Sequence, residues 1–173
     1  ISLLPQLQAV DGVKSVSYAN WFGGIYQDPN NFFPNFAVSP GFVEMYPEYR
    51  IAPAQLKAFY AERTGAIVGK QLADRHGWKI GDTIPLQATI FPRGGSNDWP
   101  LELKGIYRSK DRALAANEER QLMMNWKYFD ESNDYIKNQA SWYTVTLRSA
   151  DQASRLVGAH VKRRRGEGTD FHQ

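Results

Sequence analysis

At 173 residues, 42% hydrophobic and 13% aromatic, the chain is long enough to bury a core and too apolar to be disordered. It has no cysteine, which removes disulfides, thiolate nucleophiles and cysteine-based zinc sites together. The net charge of +3 is local: four of the 21 Lys and Arg sit at 162–165, and the other 17 face 18 acids, so the body is electrically balanced.

Leu3, Leu4 and Leu7 predict a short helix over residues 2–9, and residues 13–21 a strand. A Gly-, Pro- and Asn-rich loop follows over 23–31, then Phe32, Phe36 and Val38 in the two-residue phase of a strand. Ser39-Pro40 offers an N-cap and a first-turn proline for a helix carrying Phe42, Val43 and Tyr46. Pro53 opens a second helix with Leu56, Phe59 and Tyr60 on one face. Ala66-Ile67-Val68 predicts a buried strand, and Leu72 and Ala73 one face of a two-turn helix. Gly77 supplies the left-handed stop of that helix, since only a residue without Cβ enters this conformation freely. After a tight turn at Gly81-Asp82, Ile84, Leu86, Ala88 and Ile90 alternate as a half-buried strand. Residues 91–99 form a hairpin-type connection to a strand through Leu101 and Tyr107, residues 123–129 a helix with Trp126, and residues 142–147 a strand. Ser149-Ala-Asp-Gln152 is a capping box for a helix with Ala150, Ala153, Leu156, Val157 and Val161 on its face. No repeat appears, and the alternation of strands and short helices predicts an α+β class of mixed sheets, with two small subdomains.

The candidate chemistry is thin. Gly65 to Gln71 imitates a phosphate loop, but the gap is one residue short and Gln71 replaces the hydroxyl that holds magnesium. His76, His160 and His172 lack metal-ligand spacing, and His76 fits a helix C-terminus whose partial charge favours imidazolium. Glu118-Glu119 and Asp130-Glu131 have the form of paired carboxylates, but with Arg112, Arg120 and Lys127 around them they predict a solvated helix face. The run Lys162-Arg163-Arg164-Arg165 suits a solvated helix end, with lipid head groups or nucleic-acid phosphates as the other takers of such charge; no interleaved aromatic stripe supports the last. Trp21, Phe22, Tyr26, Phe32 and Phe33 exceed what one strand buries, so part of this cluster is expected to form an exposed partner surface. The sequence thus assigns no catalytic, cofactor-binding or metal-binding residue.

The order of these segments resembles a known family. The strand, helix, Gly77, Ile80-Gly81-Asp82 turn and strand between Gly65 and Leu86 are similar to the periplasmic core domain of MacB/FtsX-like ABC transporter permeases. Gly12-Val13-Lys14-Ser15-Val16, the stretch from Phe36 to Val43, the run from Leu101 through Gly105 to Tyr107, and Trp142 to Leu147 with Ala150 to Ala153 fall in the matching order. The resemblance spans residues 5–160; members continue into an acidic stretch where this chain has its basic run. It implies a core domain over 1–161, with 162–173 as a basic tail, and no catalysis or cofactor. It implies an extracytoplasmic location on a bacterial inner membrane. The partners it implies are a cytoplasmic ABC ATPase, reached through flanking transmembrane helices, and a second permease copy or a periplasmic protein, with no nucleic acid. On that reading a chain opening at Ile1 in mid-pattern is a piece of a longer protein. Its two ends must then face one membrane, with Leu3, Leu4 and Leu7 near Leu156 and Val157. The alternative class is a soluble periplasmic binding module not tied to an ATPase.

Overall fold

A computed structural model describes residues 1–149 and Gln152. The fold is α+β, as expected, and the described residues divide into two compact units: residues 17–144 with Ile1, and residues 2–16 with those described from 145 on. Among the described residues no helix is long and apolar enough to cross a membrane.

In chain order the elements are α1 (Leu4–Gln8), β1 (Val13–Trp21), β2 (Asn35–Val38), β3 (Tyr49–Arg50), α2 (Pro53–Ala61), β4 (Gly65–Gly69), α3 (Lys70–His76), β5 (Thr83–Gln87), β6 (Asp98–Ser109), α4 (Ala115–Glu118), β7 (Leu122–Asn125), α5 (Trp126–Ser132) and β8 (Trp142–Leu147). The strands follow the order β3-β6-β4-β7-β2-β1-β8, with β5 also on β6. Pairing is mixed: β2 with β7 and β4 with β6 are parallel, while β1 with β2, β4 with β7 and β5 with β6 are antiparallel.

The central strands β2, β4 and β7 are buried at every position. Alternation then sorts residues between two cores instead of between core and water. Ala37, Ala66, Val68, Leu122 and Met124 enter one cluster, closed by Leu72 and Ala73 of α3 and by Trp126, Tyr128 and Phe129 of α5. Phe36, Val38, Ile67 and Met123 enter the other, closed by Phe59 of α2 with Phe42 and Val43. The long strand β6 serves both. Trp99, Leu101 and Leu103 belong to the first cluster and Tyr107 to the second. The switch occurs where Ala66 faces Leu103 but Ile67 faces Gly105. Lys104 is the extra residue of a bulge, and one extra residue turns every later side chain to the other face.

Two predicted helices are corrected. Residues 122–125 are strand β7, and α5 begins only at Trp126. A segment covered on both faces shows no period of two, so its apolar run is indistinguishable from a helix in sequence. Ser39-Pro40 does not start an α-helix: only a 3-10 turn forms at Val43–Met45, and the Ser39 hydroxyl accepts from Tyr18 N–H at 3.0 Å instead of capping. Phe32 lies outside β2, and Ile90 lies beyond β5 and is exposed.

The second unit is described only in part. It contains α1, with Pro5 in its first turn, and Arg148 N–H donates to Gly12 C=O at 2.9 Å. The capping-box helix beyond Ser149, with Leu156 and Val157, and the basic run at 162–165 lie outside the described residues, as do His160 and His172.

Candidate functional site

The loop from Phe22 to Pro34 leaves β1 and returns into β2, and one buried side chain shapes it. Asn35 donates through Nδ2 to the carbonyls of Gly24 at 2.8 Å and Phe33 at 3.0 Å, and accepts from Gly24 N–H at 2.7 Å. A primary amide presents two N–H donors and a carbonyl acceptor at once, which matches the two carbonyls and one N–H of this crossing. Asp28 adds a local turn by accepting from Asn30 N–H at 2.9 Å.

This frame divides the aromatic cluster. Phe22 and Phe33 are buried, whereas Trp21 is 40% exposed and Phe32 46% exposed. The two exposed rings lie 5.8 Å apart between centroids, a contact pair presented outward. Phe33 packs edge-on to Trp78 at 6.0 Å, and Tyr26 meets the same indole at 5.0 Å. The expected split between core and exposed aromatics is therefore present.

Beside Phe32 the loop faces α3 and the α4–β7 turn across a groove of about 330 Å³ lined by Phe32, Phe33, Pro34, Gln71, Leu72, Arg75 and Arg120. Among the described residues no carboxylate lines it. The Arg75 guanidinium donates to Asn31 Oδ1 at 3.0 Å, which ties the helix end to the loop. Among the described residues neither Arg75 nor Arg120 forms an ion pair. Sequence reasoning singled out Phe32 but neither of these arginines as groove residues. They are 45 positions apart and meet only through the tertiary fold.

The other candidates resolve into structure. The Gly65–Gln71 segment is β4 running into α3, and Gly69 lies so close to the Glu119 backbone that a Cβ there would overlap it. Glu119 is not on a solvated face: its side chain is 1% exposed, accepts from Ser109 N–H at 2.9 Å and pairs with Arg112 at 2.8 Å. A carboxylate needs such partners once removed from water, and this one holds the α4–β7 turn against β6. Glu118 accepts from the Ser109 hydroxyl. Asp130 accepts from Asn138 N–H at 2.6 Å, and Glu131 pairs with Arg63 at 3.0 Å, both in the service of α5. His76 also departs from expectation. Burial, with Arg75 adding repulsion, pushes its imidazole below the ordinary value, so desolvation outweighs any preference of the helix end for the cation. No cluster of three His, Asp or Glu suited to a metal occurs among the described residues.

No family model and no curated protein matches this sequence. The fold does match solved structures. The extracellular domain of the noncanonic ABC-type transporter YknZ from Gram-positive bacteria aligns over 93% of this chain and 83% of its own, with a TM-score of 0.60 and 16% identity. A domain of a putative permease protein from Porphyromonas gingivalis aligns over 96% and 70%, with a TM-score of 0.59 and 15% identity. The periplasmic region of MacB from Actinobacillus actinomycetemcomitans aligns over 95% and 73%, with a TM-score of 0.62 and 11% identity. The chain has the fold of the extracytoplasmic domains of ABC permeases, in line with the resemblance carried by its segments.

Proposed function

We propose that this chain is the non-catalytic extracytoplasmic domain of an ABC transporter permease. The observation that carries the reading is the end-to-end fold match to three such domains, over 93% or more of the chain each time. In this role the domain binds no nucleotide. A cytoplasmic ATPase drives the membrane helices, and they pass the motion into this domain as a rigid-body displacement toward a substrate or a periplasmic partner. The two-sided core suits that task. Strands buried on both faces leave little freedom for the sheet to bend, so force applied to one of its strands moves its neighbours with it.

The decisive experiment uses the full-length parent protein. We expect its reading frame to encode apolar stretches of about 20 residues beside this domain, and an ABC ATPase to copurify with it from detergent-solubilised membranes. A parent without any such stretch, or a full-length protein that fractionates away from membranes, overturns the proposal.

A further inference from the structure

The groove between the β1–β2 loop and α3 has a chemistry that the mechanical role does not use. Leu72 and Phe33 lie buried beneath it, and its rim carries an exposed apolar ring, Phe32, beside the half-buried Pro34. Two guanidiniums, Arg75 and Arg120, line the same space with the Gln71 side chain and, among the described residues, no acid. Asn31 holds one of those guanidiniums in place with an amide oxygen, so its charge is oriented but not neutralised. Arginine's planar fork matches a carboxylate, and an apolar wall beside it takes a hydrocarbon body. A volume of about 330 Å³ lies at the small end of ligand-binding clefts.

We propose that this groove is a binding site for a small amphiphilic carboxylate. The carboxylate sits between Arg75 and Arg120, and the apolar tail runs along Phe32 and Pro34. Charge complementarity selects the head group: among the described residues, two cations without a counter-anion face a cleft with no competing carboxylate. The exposed Phe32 ring argues for a ligand with a hydrocarbon body over a bare inorganic anion, which would leave that apolar surface in water. The inference is independent of any ATPase or membrane partner and concerns only residues of this domain.

The test is titration of the 173-residue protein with sodium octanoate, octanamide and inorganic phosphate, followed by calorimetry and amide chemical shifts. Octanoate should bind and shift the amides of Phe32, Gln71, Leu72, Arg75 and Arg120. Octanamide, the same shape without the charge, should bind at least about tenfold more weakly, the loss expected for one charge-assisted contact. Arg75→Gln combined with Arg120→Gln should weaken octanoate by roughly tenfold or more, while Phe32→Ala should weaken octanoate and leave the residual response to phosphate unchanged. Both arginines and Phe32 are exposed, so the variants should keep the wild-type melting curve, which is measured alongside. Absence of octanoate binding at millimolar concentration overturns the proposal. So does equal binding of the amide, wild-type affinity in the double variant, or phosphate binding as tightly as octanoate.

Discussion

The imidazole of His76 lies almost flat on the indole of Trp78, with centroids 4.5 Å apart and planes 20° from parallel. Tyr26 approaches the imidazole edge-on at 5.1 Å, and Phe33 stands 5.9 Å away. Its Nε2 is buried without a partner among the described residues, and Arg75 is the charged neighbour that disfavours a second cation. The folded protein therefore binds the imidazole proton less well than the unfolded chain does. Stability contributed by neutral His76 is complete above the ordinary imidazole value of 6.5 and is lost as pH falls through that value toward the lowered one. Thermal melts from about pH 8 to about pH 5 should show a fall that His76→Phe reduces. Identical pH profiles for the two proteins would remove His76 from the account.

Gly77 ends α3 with φ of +67°. The Trp78 N–H donates to Ala73 C=O at 2.9 Å and Gly77 N–H to Asp74 C=O at 3.4 Å, the paired bonds of a left-handed helix stop. Nothing lies within 4 Å of the position a Cβ would take, so space is not the constraint. A Gly77→Val change carries only backbone strain, about 1–2 kcal/mol. It should lower the urea midpoint accordingly, and Gly77→Asn should lose less, because asparagine tolerates this conformation. A valine variant with an unchanged midpoint contradicts the assignment.

How much of this could be read in the sequence depends on whether a signal is local. The stop at Gly77, the proline start of α2 and the strand at Val13–Trp21 are written in adjacent residues, and all three are present. The strand β7 was hidden, because Met123 and Met124 face opposite cores and leave no polar side to mark the period. The bulge at Lys104 was hidden too, since the residues from Leu101 to Tyr107 alternate smoothly and the phase change shows only against β4. The groove had half a signal. An exposed aromatic surplus around Phe32 was legible, whereas Arg75 in the last turn of a helix looks like a cation suited to the dipole. Glu119 resembled any surface acid until β6 and Arg112 were placed around it.

Nucleotide should not stabilise this protein. The glycine pair of the Gly65–Gln71 segment lies inside a strand and its exit: Gly69 N–H already donates to Gln121 C=O at 3.1 Å, and Lys70 pairs with Asp74 at 2.5 Å. The Gly69 amide and the lysine are thus committed elsewhere. Ligand binding to the native state raises stability by RT ln(1 + [L]/Kd), so millimolar Mg-ATP should leave the melting temperature unchanged. A rise that Lys70→Ala abolishes would contradict this.

Asn35 should be the residue on which the β1–β2 loop depends most. Its buried amide satisfies three backbone groups of Gly24 and Phe33, and Asn35→Ala leaves all three without a partner in a dry setting. Unpaired buried polar groups cost about 1–3 kcal/mol each before relaxation. The loop is surface-lying and will recover some of this by opening to water, so a net loss of about 2–4 kcal/mol is expected. Opening has a second consequence, because Phe33 and Pro34 form one wall of the groove and Phe32 its rim. The variant should therefore lose octanoate affinity and become sensitive to limited proteolysis between Phe22 and Pro34, even under conditions where it stays folded. Asn31→Ala makes the comparison sharp. It removes only the exposed contact to Arg75, so its stability should stay within about 0.5 kcal/mol of wild type. Equal stability and equal protease resistance in Asn35→Ala would mean that the loop is held by its apolar contacts alone.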